Sequence, residues 1–233
     1  MTLAKRIIPM ILFRGSSMVK GVRFESWRSV GHANQAANIH QARGVDELIA
    51  LDIAATPEGR GPDFARVAEL TRKCFMPITV GGGVKTVEDV DGLLRAGADK
   101  VACGSMSWTE MRRASDKFGA QAIVGIANHR SDDDPYAIAA WPPWGCGELI
   151  LNSIDRDGTM EGYDLDVIHE VTRLVDVPVI AAGGCGTPQH ALEAIQAGAD
   201  AVAIGSMFLF TSHTPASVAQ YLAENGVEIR LAA

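Results

Sequence analysis

Gly44-Val-Asp-Glu-Leu-Ile-Ala-Leu-Asp52 opens a stretch, Gly44–Met106, that the chain contains twice. Moving the sequence 101 residues along itself lays this stretch on Gly145–Met207 without a gap, and 23 of the 63 positions are identical. Glu47 falls on Glu148, Pro77 on Pro178, Gly82-Gly83 on Gly183-Gly184, and Ala96-Gly-Ala-Asp99 on Ala197-Gly-Ala-Asp200. Both copies close in Gly-Ser-Met, at Gly104–Met106 and Gly205–Met207. A solenoid repeat spans roughly 20–50 residues. A unit of this length is half of a barrel.

Within the first copy, Glu47–Asp52 is a short apolar run with a polar end, and Asp63–Cys74 spaces its apolar residues at helical period. Pro77–Val80 reads as a second strand, Thr86–Ala96 as a helix with Val87, Val90, Leu93 and Leu94 on one face, and Lys100–Cys103 as a third strand. Strands alternating with helices of this length pair in parallel through right-handed crossovers. Two such halves, residues 44–106 and 145–207, predict an α/β protein: a single (β/α)8 TIM barrel over residues 1–233, a length that suits the fold.

Outside the copies, Leu3–Leu12 is expected to be the first strand, Gly15–Lys20 its loop, and Val22–Phe24 a small hairpin over the mouth. Asn34–Ala42 reads as the first helix, Trp108–Phe118 as the fourth, Gln121–Asn128 as the fifth strand, and Thr214–Glu224 as the last helix with Val218, Tyr221 and Leu222 inward. Between His129 and Gly147 the period breaks. Pro142-Pro143 would interrupt a helix, and Tyr136–Trp141 reads as a strand, so the fifth helix is expected to be missing or vestigial, replaced by a hairpin or irregular segment. Apolar wall left bare there would call for a neighbouring chain.

A net charge of −7 argues against a nucleic-acid partner, because a phosphate backbone needs a basic face. With 47% hydrophobic and 21% charged residues, the chain can fill one sizeable core. No leader-like or membrane-length apolar run is present, which reads as a soluble cytoplasmic protein. Cys74, Cys103, Cys146 and Cys185 have no metal-ligand spacing and are expected to be reduced thiols. Neither metal nor cofactor is expected.

Reactive groups of a β/α barrel sit where strands end. Gly82-Gly83 and Gly104-Ser105 in one copy, and Gly183-Gly184 and Gly205-Ser206 in the other, would let backbone N–H groups approach an anion. Two such cradles suit a ligand with a phosphate at each end. Asp157 and Gly158 could complete the second cradle, and Asp52 is their counterpart across the mouth, although a turn and a helix cap explain the same residues. At the opposite face, Arg6, Glu47, Lys100 and Glu148 begin strands with alternating sign, a set that could form an ion-pair ring over the base.

These residues resemble the cyclase subunit (HisF) of imidazole glycerol phosphate synthase. The likeness lies in Leu3-Ala-Lys-Arg-Ile-Ile-Pro9, Val19-Lys-Gly-Val22, Leu51-Asp-Ile53, Val80-Gly-Gly-Gly83, Ala98-Asp-Lys-Val101 and Ser153-Ile-Asp-Arg-Asp-Gly-Thr159, and covers nearly the whole chain. The resemblance implies ammonia supplied by a glutaminase (HisH-like) partner on the bottom face and passed through the barrel to a bisphosphorylated substrate. It puts the ammonia gate on Arg6, Glu47, Lys100 and Glu148. Phosphate contacts fall on Gly83, Gly104 and Ser105 at one end and on Asp157, Gly158, Gly184, Gly205 and Ser206 at the other, with Lys20 matching a lysine of the first loop.

The family's acid–base aspartates fall on Leu12 and Asn128. Leucine exchanges no proton, and a neutral amide has no useful pKa. Asn152 and Ala182 stand where the family tends to carry hydroxyls. The reading favoured is a paralogue that keeps cradles and gate but serves sugar amidation. A working cyclase in which Asp52, Asp155 or Asp157 transfers the proton is the second, and a non-enzymatic glutaminase-binding scaffold the third. A related isomerase with the same doubled barrel is a weaker alternative, since it also depends on aspartates at strands one and five.

Overall fold

The computed structural model describes residues 4–140 and 145–231. Its elements run β1 (Arg6–Arg14), β2 (Ser17–Val22), β3 (Glu25–His32), α1 (Ala33–Ala42), β4 (Leu48–Asp52), α2 (Phe64–Thr71), β5 (Ile78–Gly81), α3 (Val87–Arg95), β6 (Lys100–Cys103) and α4 (Trp108–Phe118). There follow β7 (Ile123–His129), α5 (Pro135–Ala140), β8 (Glu148–Ser153), α6 (Leu165–Leu174), β9 (Val179–Ala182), α7 (Pro188–Gln196), β10 (Ala201–Ile204), α8 (Ser206–Phe210) and α9 (Pro215–Glu224). Strands β1 and β4 to β10 pair in parallel in chain order, and β10 returns to β1, with Arg6 opposite Ala201 and Pro9 opposite Ile204. That closure makes an eight-stranded (β/α)8 barrel.

The repeated residues do repeated work. Asp99 accepts a hydrogen bond from the Ile78 amide at 2.9 Å, and Asp200 from the Val179 amide at 3.0 Å, so each copy ties its last strand to the one before. Thr86 and Thr187 cap α3 and α7 by accepting from the amides of Asp89 and His190. Side chains pack in three sets. Ile8, Ile49, Val124, Ile150 and Ile180 fill the barrel, while one outer layer joins strands to helices over the first half and another over the second. No helix among the described residues is long and apolar enough to cross a membrane.

Two expectations need correction. Gly15–Lys20 is not a loop: the chain turns at Gly15-Ser16, and β2 pairs back on β1 and forward on β3. The hairpin turns at Arg23-Phe24, both at positive φ (53° and 63°), a turn usually marked by glycine or asparagine and so hard to see here. Tyr136–Ala140 is helical rather than extended, because Asp134 and Pro135 start a helix: the Asp134 carboxylate accepts from the Tyr136 amide and its carbonyl from the Ile138 amide, both at 3.0 Å. Six residues of a fifth helix are described, Pro135–Ala140. The expected start of β1 at Leu3, and Trp141 with Pro142-Pro143, lie outside the described residues.

Candidate functional site

Strand starts meet at the base. Arg6 reaches Glu47 at 2.8 Å with one guanidinium nitrogen and Glu148 at 2.7 Å with the other. Lys100 reaches the remaining oxygens of the same two glutamates, both at 2.8 Å. Each cation bridges both anions, which closes a ring of four, and Thr79 donates to Glu47 from β5. Burial disfavours the Arg6 and Lys100 charges, but the hydrogen bonds and charges of Glu47 and Glu148 outweigh it and raise both pKa values. Above the ring the barrel is lined by apolar side chains.

Strand ends enclose a cavity of about 320 Å³ at the opposite face. Leu12 from β1 and Asn128 from β7 both line it, together with Leu51, Ile126 and Ile150. Asn128 Oδ1 accepts from Asn152 Nδ2 at 2.9 Å. Gly82, Gly83, Gly104 and Ser105 open onto the same space, and Phe24 and Trp27 of the β2–β3 hairpin cover it. The two aromatics carry no periodic signal and were not legible as site residues.

A second, smaller hollow of about 20 Å³ lies beside it, bounded by Lys20, Asp157, Gly158, Gly183, Gly184, Gly205 and Ser206. The expected residues of the second cradle are thus brought together, with Cys185 and Met160 as neighbours that the sequence did not indicate. Lys20 bonds Asp157 at 2.6 Å, and both side chains are almost wholly buried. Asp157 also borders the large cavity, and its Oδ2 is buried with no partner among the described residues.

The carboxylates near the strand ends are differently placed. Asp52 lines the large cavity but bonds Arg60 at 2.8 Å and accepts from the Ala54 amide, so Arg60 is a site neighbour that went unrecognised. Asp155 lines neither hollow; the Ser131 amide, with Arg130 at 2.8 Å, holds it below the usual carboxylate range at the exposed rim.

Glycine has two different origins here. Gly184 has φ +106°, and a Cβ would strike the carbonyl oxygen of Gly162, so packing alone requires it. A Cβ on Gly104 would meet nothing nearer than Ile126 at 3.6 Å. Packing therefore does not require glycine at position 104, which lines the large cavity.

The model of the family described as histidine biosynthesis protein matches residues 6–214. The chain belongs to that family. It is 38% identical to the imidazole glycerol phosphate synthase subunit HisF of Exiguobacterium sibiricum, over 98% of this chain and the whole of that one. It is 36% identical to a Campylobacter jejuni protein provisionally named imidazole glycerol phosphate synthase subunit hisF2, over 98% and 99% of the two chains. These alignments run to 248 and 247 positions, more than the 233 residues here, so the relatives carry residues that this HisF-like chain lacks.

Proposed function

We propose that this HisF-like barrel is a synthase subunit that takes ammonia from a glutaminase partner at its base, carries it through the apolar barrel and releases it to a phosphorylated ligand at the strand ends, serving amidation of a sugar. The observation that carries the departure from cyclisation is the meeting of Leu12 and Asn128 in one cavity, where neither can move a proton. The ring of Arg6, Glu47, Lys100 and Glu148 supports entry from below, since ammonia is neutral and small enough for an apolar passage once a ring contact parts.

A cyclase using Asp157 is the second reading, favoured by the place of Asp157 in the cavity lining and by its buried Oδ2, which has no partner among the described residues. Supplying the full chain with ammonium salt and the bisphosphorylated imidazole precursor separates the two. Loss of one acid–base partner costs about 10²–10⁴ in rate, so the amidation reading expects turnover at least that far below a HisF assayed beside it. Turnover close to that HisF establishes the cyclase. A scaffold without ligand chemistry would leave both cradles empty of phosphate in crystals grown at high phosphate concentration.

A further inference from the structure

The two cradles repeat in sequence but differ in room. Gly82, Gly83, Gly104 and Ser105 open onto the cavity of about 320 Å³, whereas the hollow among Gly183, Gly184, Gly205 and Ser206 measures about 20 Å³. That is space for about one water molecule, well short of a phosphate group. The β2–β3 hairpin, which belongs to neither copy, makes the difference. Lys20 pairs with Asp157 in the lining of the hollow, and the Arg23 amide bonds the Asp157 carbonyl at 2.8 Å. Gly21 packs on Gly158 so closely that a Cβ there would lie 2.3 Å from the Gly21 carbonyl oxygen. On the side of the first cradle the hairpin contributes Phe24 and Trp27 to the wall of an open space.

Charge divides the cradles as well. The shift of 101 residues sets Asp157-Gly158 against Thr56-Pro57, and Glu161 against Arg60. Thr56 and Pro57 line the large cavity without charge. Asp52 borders that cavity too, but Arg60 bonds it at 2.8 Å. In the lining of the hollow the cation is Lys20, already bonded to Asp157 at 2.6 Å, and the exposed Glu161 adds negative charge on the same loop.

Resting on the phosphorylated-ligand reading above, we propose that the ligand is a monophosphate held at Gly82-Gly83 and Gly104-Ser105, and that the second cradle is the seat of the hairpin instead of a phosphate site. A phosphate entering the hollow would have to part Lys20 from Asp157 and lift the hairpin, which sets a second anion beside a buried carboxylate. A bisphosphate can still bind by one end, its other phosphate left without a cradle. The duplication thus supplies two like sites, and the inserted hairpin converts one of them into a structural joint.

The test uses the full chain in calorimetry with inorganic phosphate, fructose 6-phosphate and fructose 1,6-bisphosphate, the two sugars differing by one phosphate. Expected are one inorganic phosphate bound per chain and sugar affinities within about threefold of each other. Ser105→Glu places a negative charge at an exposed position of the first cradle and should weaken all three probes at least about tenfold. Two inorganic phosphates per chain, or a bisphosphate bound at least about tenfold tighter than the monophosphate, overturns the proposal and leaves the phosphorylated-ligand reading standing. So does a single phosphate that Ser105→Glu does not weaken, because the occupied site is then not the first cradle. Failure of every probe removes both.

Discussion

Lys20 and Asp157 form a 2.6 Å ion pair that fastens the β2–β3 hairpin to the loop after β8. The Arg23 amide adds a 2.8 Å bond to the Asp157 carbonyl. A buried charge left without its partner costs several kcal/mol, more than undocking a short hairpin whose turn is held at positive φ. Lys20→Met is therefore expected to lift the hairpin rather than unfold the barrel. Limited proteolysis should cut at Arg23 at least about tenfold faster, with the melting temperature changed little. An unchanged cutting rate would show that the pair does not hold the hairpin.

Gly184→Ala and Gly104→Ala should part company. The first drives a methyl into the Gly162 carbonyl at a backbone angle that L residues avoid, a strain of about 1–3 kcal/mol. The second has room, so its stability should stay within about 0.5 kcal/mol, while under the proposed function the added methyl should weaken phosphate binding at the first cradle. Urea unfolding and phosphate titration of both variants check this; equal stability losses would refute the division.

The duplicated stretch made the barrel readable, because Pro77, Thr86 and Asp99 are paired with Pro178, Thr187 and Asp200 and each pair fixes a strand start, a cap or a strand tie. The gathering of the strand-end glycines and of the basal ring was readable for the same reason: strand ends are set by the barrel. What escaped depends on tertiary placement. Phe24 and Trp27 reach the cavity through a turn of Arg23 and Phe24 that has no glycine, and Arg60 reaches Asp52 from a loop. Asp164 repeats Asp63 yet does different work: Asp63 caps α2, whereas Asp164 accepts from the Ser131 hydroxyl at 2.6 Å. Helix α5 escaped because the prolines that follow in the sequence dominate the reading of Asp134-Pro135.

At the base, Lys100 is bonded to both glutamates while Arg6 is their other bridge. Lys100→Met removes two charge-assisted bonds and leaves Glu47 and Glu148 facing each other across Arg6. Hydrogen bonds to charged groups contribute about 1.5–3 kcal/mol, so a loss of that order is expected in urea unfolding. Under the proposed function, glutamine-dependent transfer should change while ammonium-dependent transfer stays near its original rate. Equal effects on both would separate the ring from ammonia entry.

Under the proposed function, carboxylates at positions 12 and 128 should favour cyclisation. Leu12→Asp with Asn128→Asp places two carboxylates in the cavity that these residues line. Turnover of the bisphosphorylated precursor with ammonium should rise by at least about 10²-fold, at a stability cost because Leu12 is buried. No gain in a folded double variant would mean that features besides the acid and base have been lost.

His40 gives the fold a defined acid sensitivity. It lies on α1 with 7% of its surface exposed, its Nδ1 has no partner among the described residues, and its ring centre is 6.0 Å from that of Phe208. Burial, with the Arg43 charge adding to it, pushes its pKa down to about 4 from 6.5. In the unfolded chain the imidazole takes its proton near pH 6.5; in the folded protein it does not until about pH 4. The unfolded state thus binds the extra proton in that window, so the contribution is full above pH 6.5 and drains away as pH falls to about 4, in total about 3 kcal/mol. His40→Phe keeps a ring of similar size, removes the titration and removes the unpaired nitrogen. Urea midpoints of the two proteins, taken from pH 7.5 to pH 4, should diverge in favour of the variant as the pH drops through this window. Other carboxylates titrate alike in both and cancel in the difference, so a constant gap would show that His40 keeps an ordinary pKa in the folded chain.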